Sequence, residues 1–112
     1  MPSYEAPLPE FRFLLHEVLG YEARVADLPG YSDATLDLVL PILDSAGEFA
    51  RDKLLPLNLA GDMEGCTRQG RTVRTPRGYR EAYAGYCDAG WPSLGGDPAH
   101  GGQGLPATVA TL

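Results

Sequence analysis

The chain has 112 residues, with nine basic and fifteen acidic side chains and a formal net charge of −6. This length is enough for one domain and too short for two. The negative charge excludes the broad basic surface of nucleic-acid-binding proteins and disfavours docking on an anionic membrane. The sequence contains no run of about 20 apolar residues, so we expect no membrane-spanning helix.

The N-terminal residues carry neither the positive segment nor the apolar segment of a secretory signal. We therefore expect a cytoplasmic protein in which Cys66 and Cys87 stay reduced. These cysteines, His16 and His100 do not stand at metal-ligand spacing from one another, so no metal site is predicted.

The first third of the chain predicts an extended arm, one amphipathic helix and a turn. Three prolines favour an extended arm up to Pro9. Apolar residues then recur at helical spacing from residue 10 to about residue 21, and the helix is expected to end near Gly20. A turn is predicted at residues 28–31. The apolar stripe of this helix consists of Phe11, Leu14, Leu15, Val18 and Leu19.

The longest predicted helix covers residues 36–55, where apolar residues keep the helical period. Thr35 or Asp33 is the expected N-cap. Pro41 lies inside this range and removes one backbone hydrogen bond, so the helix should either kink there or begin later. We expect it to end near Leu55 and Pro56.

A small surface hairpin is predicted within residues 61–75, with Gln69 and Gly70 at its centre. A third helix should open at Thr75 and Pro76, with Thr75 as N-cap, and close at Gly90 in the left-handed position. A set of aromatic residues has helical spacing, which indicates packing rather than a ligand cage. The set consists of Tyr79, Tyr83, Tyr86 and Trp91.

A loop rich in glycine and proline occupies residues 91–106, and a helix begins at Ala107. This helix has less than two turns before Leu112, so we interpret its end as interrupted. The predicted fold class is all-α, with three helices, a truncated fourth and a small surface β-hairpin.

The glycine cluster at residues 95–104 could be interpreted as a nucleotide-binding loop, but its sequence disfavours this interpretation. A P-loop needs a Lys-Ser/Thr pair after its glycines, and none follows here. A dinucleotide fingerprint needs a preceding strand, which is not predicted. We interpret the cluster as a tight loop whose glycines supply positive φ angles.

Five arginines recur at three-residue steps in the second half of the chain. Residues 65–112 carry five basic and three acidic side chains, whereas residues 1–64 carry four basic and twelve acidic ones. An anion-binding ridge is one interpretation. Solvated arginines are the favoured one, because a three-residue step alternates between the faces of a strand. The arginines are Arg68, Arg71, Arg74, Arg77 and Arg80.

Neither histidine forms part of a recognisable catalytic arrangement. His100 lies near Asp97, but no motif places a serine or cysteine nucleophile beside this pair. We interpret His16 and His100 as surface residues, and the sequence predicts no catalytic residue.

Several short motifs follow one another in a characteristic order over essentially the whole chain. They are Tyr4-Glu-Ala-Pro-Leu8, Arg12-Phe-Leu-Leu15, Leu55-Pro-Leu-Asn58, Gly61-Asp62, Gly65-Cys66, Thr75-Pro-Arg-Gly-Tyr79, Gly90-Trp-Pro92 and, most specific, Asp97-Pro-Ala-His-Gly-Gly-Gln-Gly-Leu-Pro106. This ordered set resembles the N-terminal helical domain of FAD-dependent acyl-CoA dehydrogenases, in the larger bacterial-type branch with an N-terminal extension.

The resemblance implies a longer enzyme with a middle β-domain and a C-terminal helical domain. Residues 1–32 would be the extension arm and first helix, and residues 33–112 a truncated part of the N-terminal α-domain. The parent would oxidise acyl-CoA to 2,3-enoyl-CoA with FAD as hydride acceptor and pass electrons to an external acceptor. Its catalytic glutamate would lie beyond Leu112, so this chain alone is expected to bind no FAD and to be inactive.

The resemblance also places the loop and the last helix beside the cavity that holds the fatty-acyl group. Glycines there would allow close backbone approach, and leucine would supply apolar lining. The candidate wall residues are Gly102, Gln103, Gly104, Leu105 and Thr108.

Two other functions stay open from the sequence. One is a freestanding helical interaction module derived from this family, since missing domains would expose apolar helix faces that bind another subunit or a second copy. The other is a small anion-binding protein that uses the arginine run.

Overall fold

The structure is a computed structural model that describes residues 3–112, so Met1 and Pro2 of the predicted arm lie outside the described residues. Within that range the chain is helical with one two-stranded antiparallel sheet, which confirms the all-α class with a small hairpin. No helix in this range is long and apolar enough to cross a membrane. The elements are α1 (Leu8–Phe13), α2 (Leu36–Phe49), α3 (Leu55–Glu64), β1 (Thr67–Gln69), β2 (Thr72–Arg74), α4 (Tyr79–Asp88) and α5 (Ala107–Ala110).

Helix α1 begins before the point that its prolines suggest. Pro7 is the N-cap residue and Pro9 is already the second helical residue. The prediction of an extended arm as far as Pro9 is therefore wrong. The first turn of a helix does not use its N–H groups for internal hydrogen bonds, so a proline there costs nothing.

A wider, π-helical turn, Leu14–Val18, continues α1 and changes which residues face the interior. Leu15 is 1% exposed, whereas Leu14 is 44% exposed and Val18 is also exposed. The predicted stripe assumed 3.6 residues per turn, and a π turn holds more residues. Only part of that stripe therefore reaches the core.

A second helical segment follows that the sequence analysis missed. Gly20, with φ of +57°, ends the first helical run, and a π-helical turn, Glu22–Ala26, comes next. This segment brings Tyr21 into the core. The predicted turn at residues 28–31 is confirmed by a 3.1 Å hydrogen bond from the Tyr31 N–H to the Leu28 carbonyl.

Helix α2 starts where predicted. Thr35 is the N-cap and its carbonyl accepts hydrogen bonds from two helical N–H groups, although its side chain makes no capping bond. Pro41 lies inside α2 without ending it, so the alternative of a later start is wrong.

The helical run continues beyond its predicted end. A π-helical turn, Ala50–Leu54, connects α2 to α3, and α3 ends only at Glu64. The predicted end near Leu55 is therefore wrong. Pro56 follows the wider turn as the second residue of α3 and, because it has no N–H, donates no hydrogen bond back into that turn.

The hairpin is confirmed, with Thr67 opposite Arg74 and Gln69 opposite Thr72. Its turn contains Gly70 at φ of +60°. Both strands are exposed along their whole length. The hairpin therefore lies on the surface, as predicted.

Helix α4 begins at Tyr79, after a left-handed Gly78 with φ of +85°, so the predicted start at Pro76 is three residues early. Its predicted end is confirmed. Gly90 has φ of +83°, and its N–H donates to the Cys87 carbonyl at 3.0 Å.

The hydrophobic core lies between the N-terminal helical segments, α2 and α5. Neither α4 nor the hairpin contributes a buried side chain to it, and the buried residue of α3 is a glycine. The buried apolar residues are Leu15, Tyr21, Ala26, Ala34, Leu36, Val39, Leu43, Leu105 and Val109.

The second half of the helical framework therefore leaves much surface open to solvent. The accessible surface is 8207 Å², against about 6,000 Å² for a compact monomer of this size. The radius of gyration is 17.1 Å, against about 13 Å for a compact domain of this length. The chain exposes surface that an isolated domain would bury.

Tyr21 anchors the core by a polar contact as well as by packing. Its hydroxyl donates a 2.8 Å hydrogen bond to the buried Ala34 carbonyl, and burial raises the pKa of this phenol. We expect Tyr21→Phe to lower the free energy of unfolding by about 1–2 kcal/mol, because that carbonyl loses its donor. Urea denaturation measures the change. Tyr4→Phe, at an exposed position, should stay within about 0.5 kcal/mol of the parent chain, and equal effects of the two changes would contradict this role of Tyr21.

Candidate functional site

The loop between α4 and α5 is folded back on itself. It contains two short 3₁₀ turns, Trp91–Ser93 and Pro98–His100. The Asp97 side chain caps the second turn by accepting a 2.8 Å hydrogen bond from the Ala99 N–H. Gly101, with φ of +85°, then reverses the chain so that residues 102–105 run beside residues 93–97.

Backbone hydrogen bonds join these two stretches over four successive residues. The donors are the N–H groups of residues 102–105, and each bond is 2.9 Å long. No N–H in this stretch is left to bind an anion, so the structure also disfavours a phosphate-binding role for the glycine cluster. In donor order the accepting carbonyls belong to Asp97, Ser93, Gly96 and Leu94.

Two glycines allow the stretches to approach this closely. A Cβ on Gly102 would overlap the backbone of Gly96, although Gly102 itself has no positive φ. Gly104 is required for a different reason, because its φ is +67°. The sequence pattern predicted the need for glycine here but not this direct backbone crossing.

The Gln103 side chain ties the loop to the end of α4. Its Nε2 donates to the Gly90 carbonyl at 2.9 Å and to the Ser93 Oγ at 3.2 Å, and that hydroxyl donates to the same carbonyl at 2.8 Å. Sequence reasoning did not select Gly90 or Ser93 as part of this site. Their separation of ten or more residues from Gln103 follows no motif that could have identified them.

A groove of about 620 Å³ lies between this loop and the turn that precedes α2. Three of the candidate wall residues, Gln103, Gly104 and Leu105, line it. Leu105 is only 7% exposed and also belongs to the hydrophobic core. Gly102 packs behind the groove against Gly96, and Thr108, half-buried in α5, is not part of this lining.

A second groove, of about 320 Å³, lies on the other side of Gln103 against α2. Trp91 lines it, and its indole nitrogen is buried without a hydrogen-bond partner among residues 3–112. Trp91 also contacts Phe49, with ring centroids 6.4 Å apart. The Trp91 ring thus packs between α2 and the loop.

A third groove, apolar and of about 330 Å³, separates α3 from α4. Its aromatic wall includes Tyr83, which is 68% exposed, and Tyr86, whose ring lies 6.2 Å from that of Phe49. The predicted packing role therefore fits Tyr86 and Trp91, whereas Tyr83 remains open to solvent. The lining residues are Leu54, Leu57, Tyr79, Ala82, Tyr83 and Tyr86.

Each histidine of the described part lies beside a single carboxylate. His16 lies 3.8 Å from Glu17, and His100 lies 3.8 Å from Asp97, with all four side chains exposed. Across residues 3–112 no group of three or more His, Cys, Asp or Glu side chains could hold a metal ion. The structure therefore brings together a shaped loop and three grooves, without an acid–base cluster.

The sequence of the whole chain was compared with known protein families and proteins. No protein-family model matches the chain. Over 107 residues it is 36% identical to 3-methylmercaptopropionyl-CoA dehydrogenase of Ruegeria pomeroyi, an acyl-CoA dehydrogenase, and the match covers 96% of this chain. The resemblance to acyl-CoA dehydrogenases is confirmed. The chain spans 18% of the length of that relative.

Proposed function

We propose that this chain is the N-terminal part of a flavoenzyme that oxidises acyl-CoA thioesters to 2,3-enoyl-CoA. The observation that carries this proposal is the 36% identity, which runs through 96% of the chain. The relative is named for an acyl-CoA thioester. We extend the class of thioester to this protein, and not the particular acyl group.

The exposed surface supports a place within a larger protein. The chain exposes about 2,200 Å² more than a compact monomer of its size. A stable protein interface covers about 800 Å² on each partner. We propose that residues 33–112 form part of an N-terminal α-domain, that residues 1–32 form its extension, and that further domains cover this excess surface.

We place the redox chemistry outside this chain. FAD would accept the hydride in the parent protein and pass electrons to a separate acceptor. The glycine loop does not fit the FAD pyrophosphate, because its N–H groups from Gly102 to Leu105 all donate within the loop. We therefore assign no catalytic residue to this chain. We expect the chain alone to bind no FAD and to be inactive, and the predicted location remains the cytoplasm.

The candidate role of this chain is to form part of the acyl-cavity wall. Gln103, Gly104 and Leu105 line one groove, and the backbone crossing at Gly102 fixes their position. Thr108 is half-buried in the first turn of α5, which directly follows Leu105 and Pro106, so we propose that it extends the same wall along α5. Such a wall would orient the acyl chain and exclude water from it.

The test of the enzyme assignment uses the longest natural polypeptide that contains this sequence. We expect the purified protein to show flavin absorbance and to reduce an electron-accepting dye when an acyl-CoA is added. A colourless protein that reduces no dye with acyl-CoA thioesters of short, medium or long chain would overturn the assignment. Turnover by the 112-residue chain alone would contradict its predicted inactivity.

The wall assignment has its own test in the same polypeptide. Thr108→Ala removes side-chain volume from the wall, so the ratio of kcat/KM between longer and shorter acyl chains should change roughly tenfold. Thr111→Ala, at the exposed C-cap of α5, is the matched control and should leave the ratio unchanged. Equal ratios for both variants would remove Thr108 from the wall.

A freestanding interaction module is the second candidate function. It is favoured by exposed apolar side chains on α3 and α4, among them Leu59, Met63 and Tyr83. These faces would then bind another subunit or a second copy of the chain. The intact mass of the natural protein separates the two functions, because the module requires the mass of 112 residues and the flavoenzyme a mass several times larger. Sedimentation of the chain would test association with itself.

A further inference from the structure

The second half of the chain concentrates positive charge in one short segment. Residues 66–80 contain five arginines and no acidic residue, within a chain of net charge −6. This segment comprises the hairpin, the turn that follows it and the first two residues of α4. An anion approaching the protein would therefore meet its strongest attraction here.

The five arginines do not all lie on one surface of the hairpin. Arg68 pairs with Val73 across the hairpin, and its Nε donates to the Gly70 carbonyl at 2.8 Å. Arg74 is opposite Thr67, so the pleat directs Arg74 to the other face of the hairpin from Arg68. The alternation of the strand thus places Arg68 and Arg74 on opposite faces of the hairpin, as expected from the sequence. Arg74 nevertheless lies close to other arginines of the run.

The left-handed turn at Gly78 directs the chain from the hairpin into α4, and a groove of about 620 Å³ lies between the hairpin and the start of α4. Arg74, Arg77 and Arg80 line this groove together with polar residues such as Thr72 and Thr75. A Cβ on Gly78 would press on the Leu57 side chain, so the turn is packed directly against α3.

One of the three arginines is hydrogen-bonded to a carboxylate, and the side chains of the other two have no hydrogen-bond partner in the described part of the chain. Glu64 accepts hydrogen bonds from the Arg77 backbone N–H at 3.2 Å and from its Nε at 3.3 Å, and these contacts lower the pKa of Glu64. Within residues 3–112, Arg74 and Arg80 make no side-chain hydrogen bond or ion pair. Glu81 is the carboxylate that shares the groove with them.

This arrangement suits a phosphate group. Arginine presents planar N–H donors that bind phosphate oxygens in pairs, and threonine hydroxyls add further donors at the groove wall. The groove is lined by two guanidinium groups without a hydrogen-bond partner and by one carboxylate, so it has a surplus of donors. We propose that the groove formed by the hairpin and the start of α4 binds a phosphate-bearing small anion.

The test is a titration of the full 112-residue chain with inorganic phosphate, pyrophosphate and ADP at constant ionic strength in chloride. Calorimetry should show saturable binding with a dissociation constant on the order of 1 mM. Amide resonances of Thr72, Thr75 and Arg80 should shift in ¹H–¹⁵N spectra. Tighter binding of ADP or pyrophosphate would identify an esterified or condensed phosphate as the ligand, and equal binding would identify the free phosphate group.

A pair of double variants makes the test specific. Arg74→Gln with Arg80→Gln should weaken binding at least tenfold, since two bidentate donors are lost. Arg68→Gln with Arg71→Gln removes the same charge from the same segment outside the groove lining and should change binding less than about threefold. Arg74→Lys with Arg80→Lys keeps the charge without the planar donors and should give an intermediate loss.

Three results would overturn the proposal. They are binding that does not saturate, equal weakening in both glutamine variants, and shifts confined to amides outside the groove. Circular dichroism of each variant verifies that the helices remain formed. These outcomes are independent of flavin binding and acyl-CoA turnover, so the groove and the proposed enzyme function can fail separately.

Discussion

Replacing Gly102 with alanine is expected to lower the free energy of unfolding by about 3 kcal/mol, the upper end for overpacking. The added Cβ would overlap the backbone of Gly96, and the nearest atoms are its carbon and oxygen rather than a side chain that could rotate away. The two stretches of the loop would have to separate. At least the hydrogen bond from the Gly104 N–H to the Gly96 carbonyl would then lengthen or break.

Urea denaturation followed by fluorescence measures this loss, because Trp91 is the one tryptophan of the chain and lies in the same loop. Gly95→Ala is the matched control. A Cβ there would meet the Ala110 Cβ at 3.5 Å, which is an ordinary contact, and Gly95 has no positive φ. A Gly102→Ala variant as stable as Gly95→Ala would show that the two stretches do not cross as described.

Leu15→Ala is expected to cost about 2–5 kcal/mol, the range for removing a buried leucine side chain. Leu15 is 1% exposed and sits in the core with Tyr21 and Val39, which are fully buried. The substitution would leave a cavity where the N-terminal segment meets α2. A loss of this size is a large share of the stability of a small domain.

Its neighbour in the chain provides the control. Leu14→Ala removes the same atoms from a side chain that is 44% exposed, so we expect a cost below about 1 kcal/mol. The difference between the two urea midpoints tests the π-helical turn, because that turn decides which leucine faces the core. If Leu14→Ala lowers the free energy of unfolding as much as Leu15→Ala, the turn does not direct Leu15 to the core and Leu14 to solvent as described.

The fold class could be predicted from the sequence because apolar periodicity and turn residues report local structure directly. The hairpin around Gly70 and the end of α4 at Gly90 both depend on a left-handed glycine, and both were predicted correctly. The starts and ends that failed all involve proline. Pro9, Pro56 and Pro76 each permit several arrangements near a helix end, and tertiary packing selects among them.

The candidate site was accessible from sequence only in part. The loop could be located because its glycines are concentrated there, and the family resemblance supplied its proposed role. The hydrogen bonds of Gln103 and the crossing of Gly96 with Gly102 could not be predicted, since they join residues whose proximity depends on the path of the loop. Tyr21 was missed as a core anchor because its segment contains a π turn that masks helical periodicity.

The wider turns of this structure have a consequence for changes in chain length. The described part contains three of them, Leu14–Val18, Glu22–Ala26 and Ala50–Leu54. A π turn accommodates one additional residue while the helix remains continuous. Because the wider turn absorbs this residue, deleting one residue within Ala50–Leu54 would restore an ordinary α turn and keep α3 in nearly the same rotational phase relative to α2. Gly61 would still face Tyr79, whereas the same deletion in a regular stretch of α2 would rotate everything that follows by about 100°, so the wider turn is the place in this helical run where a change of one residue is best tolerated.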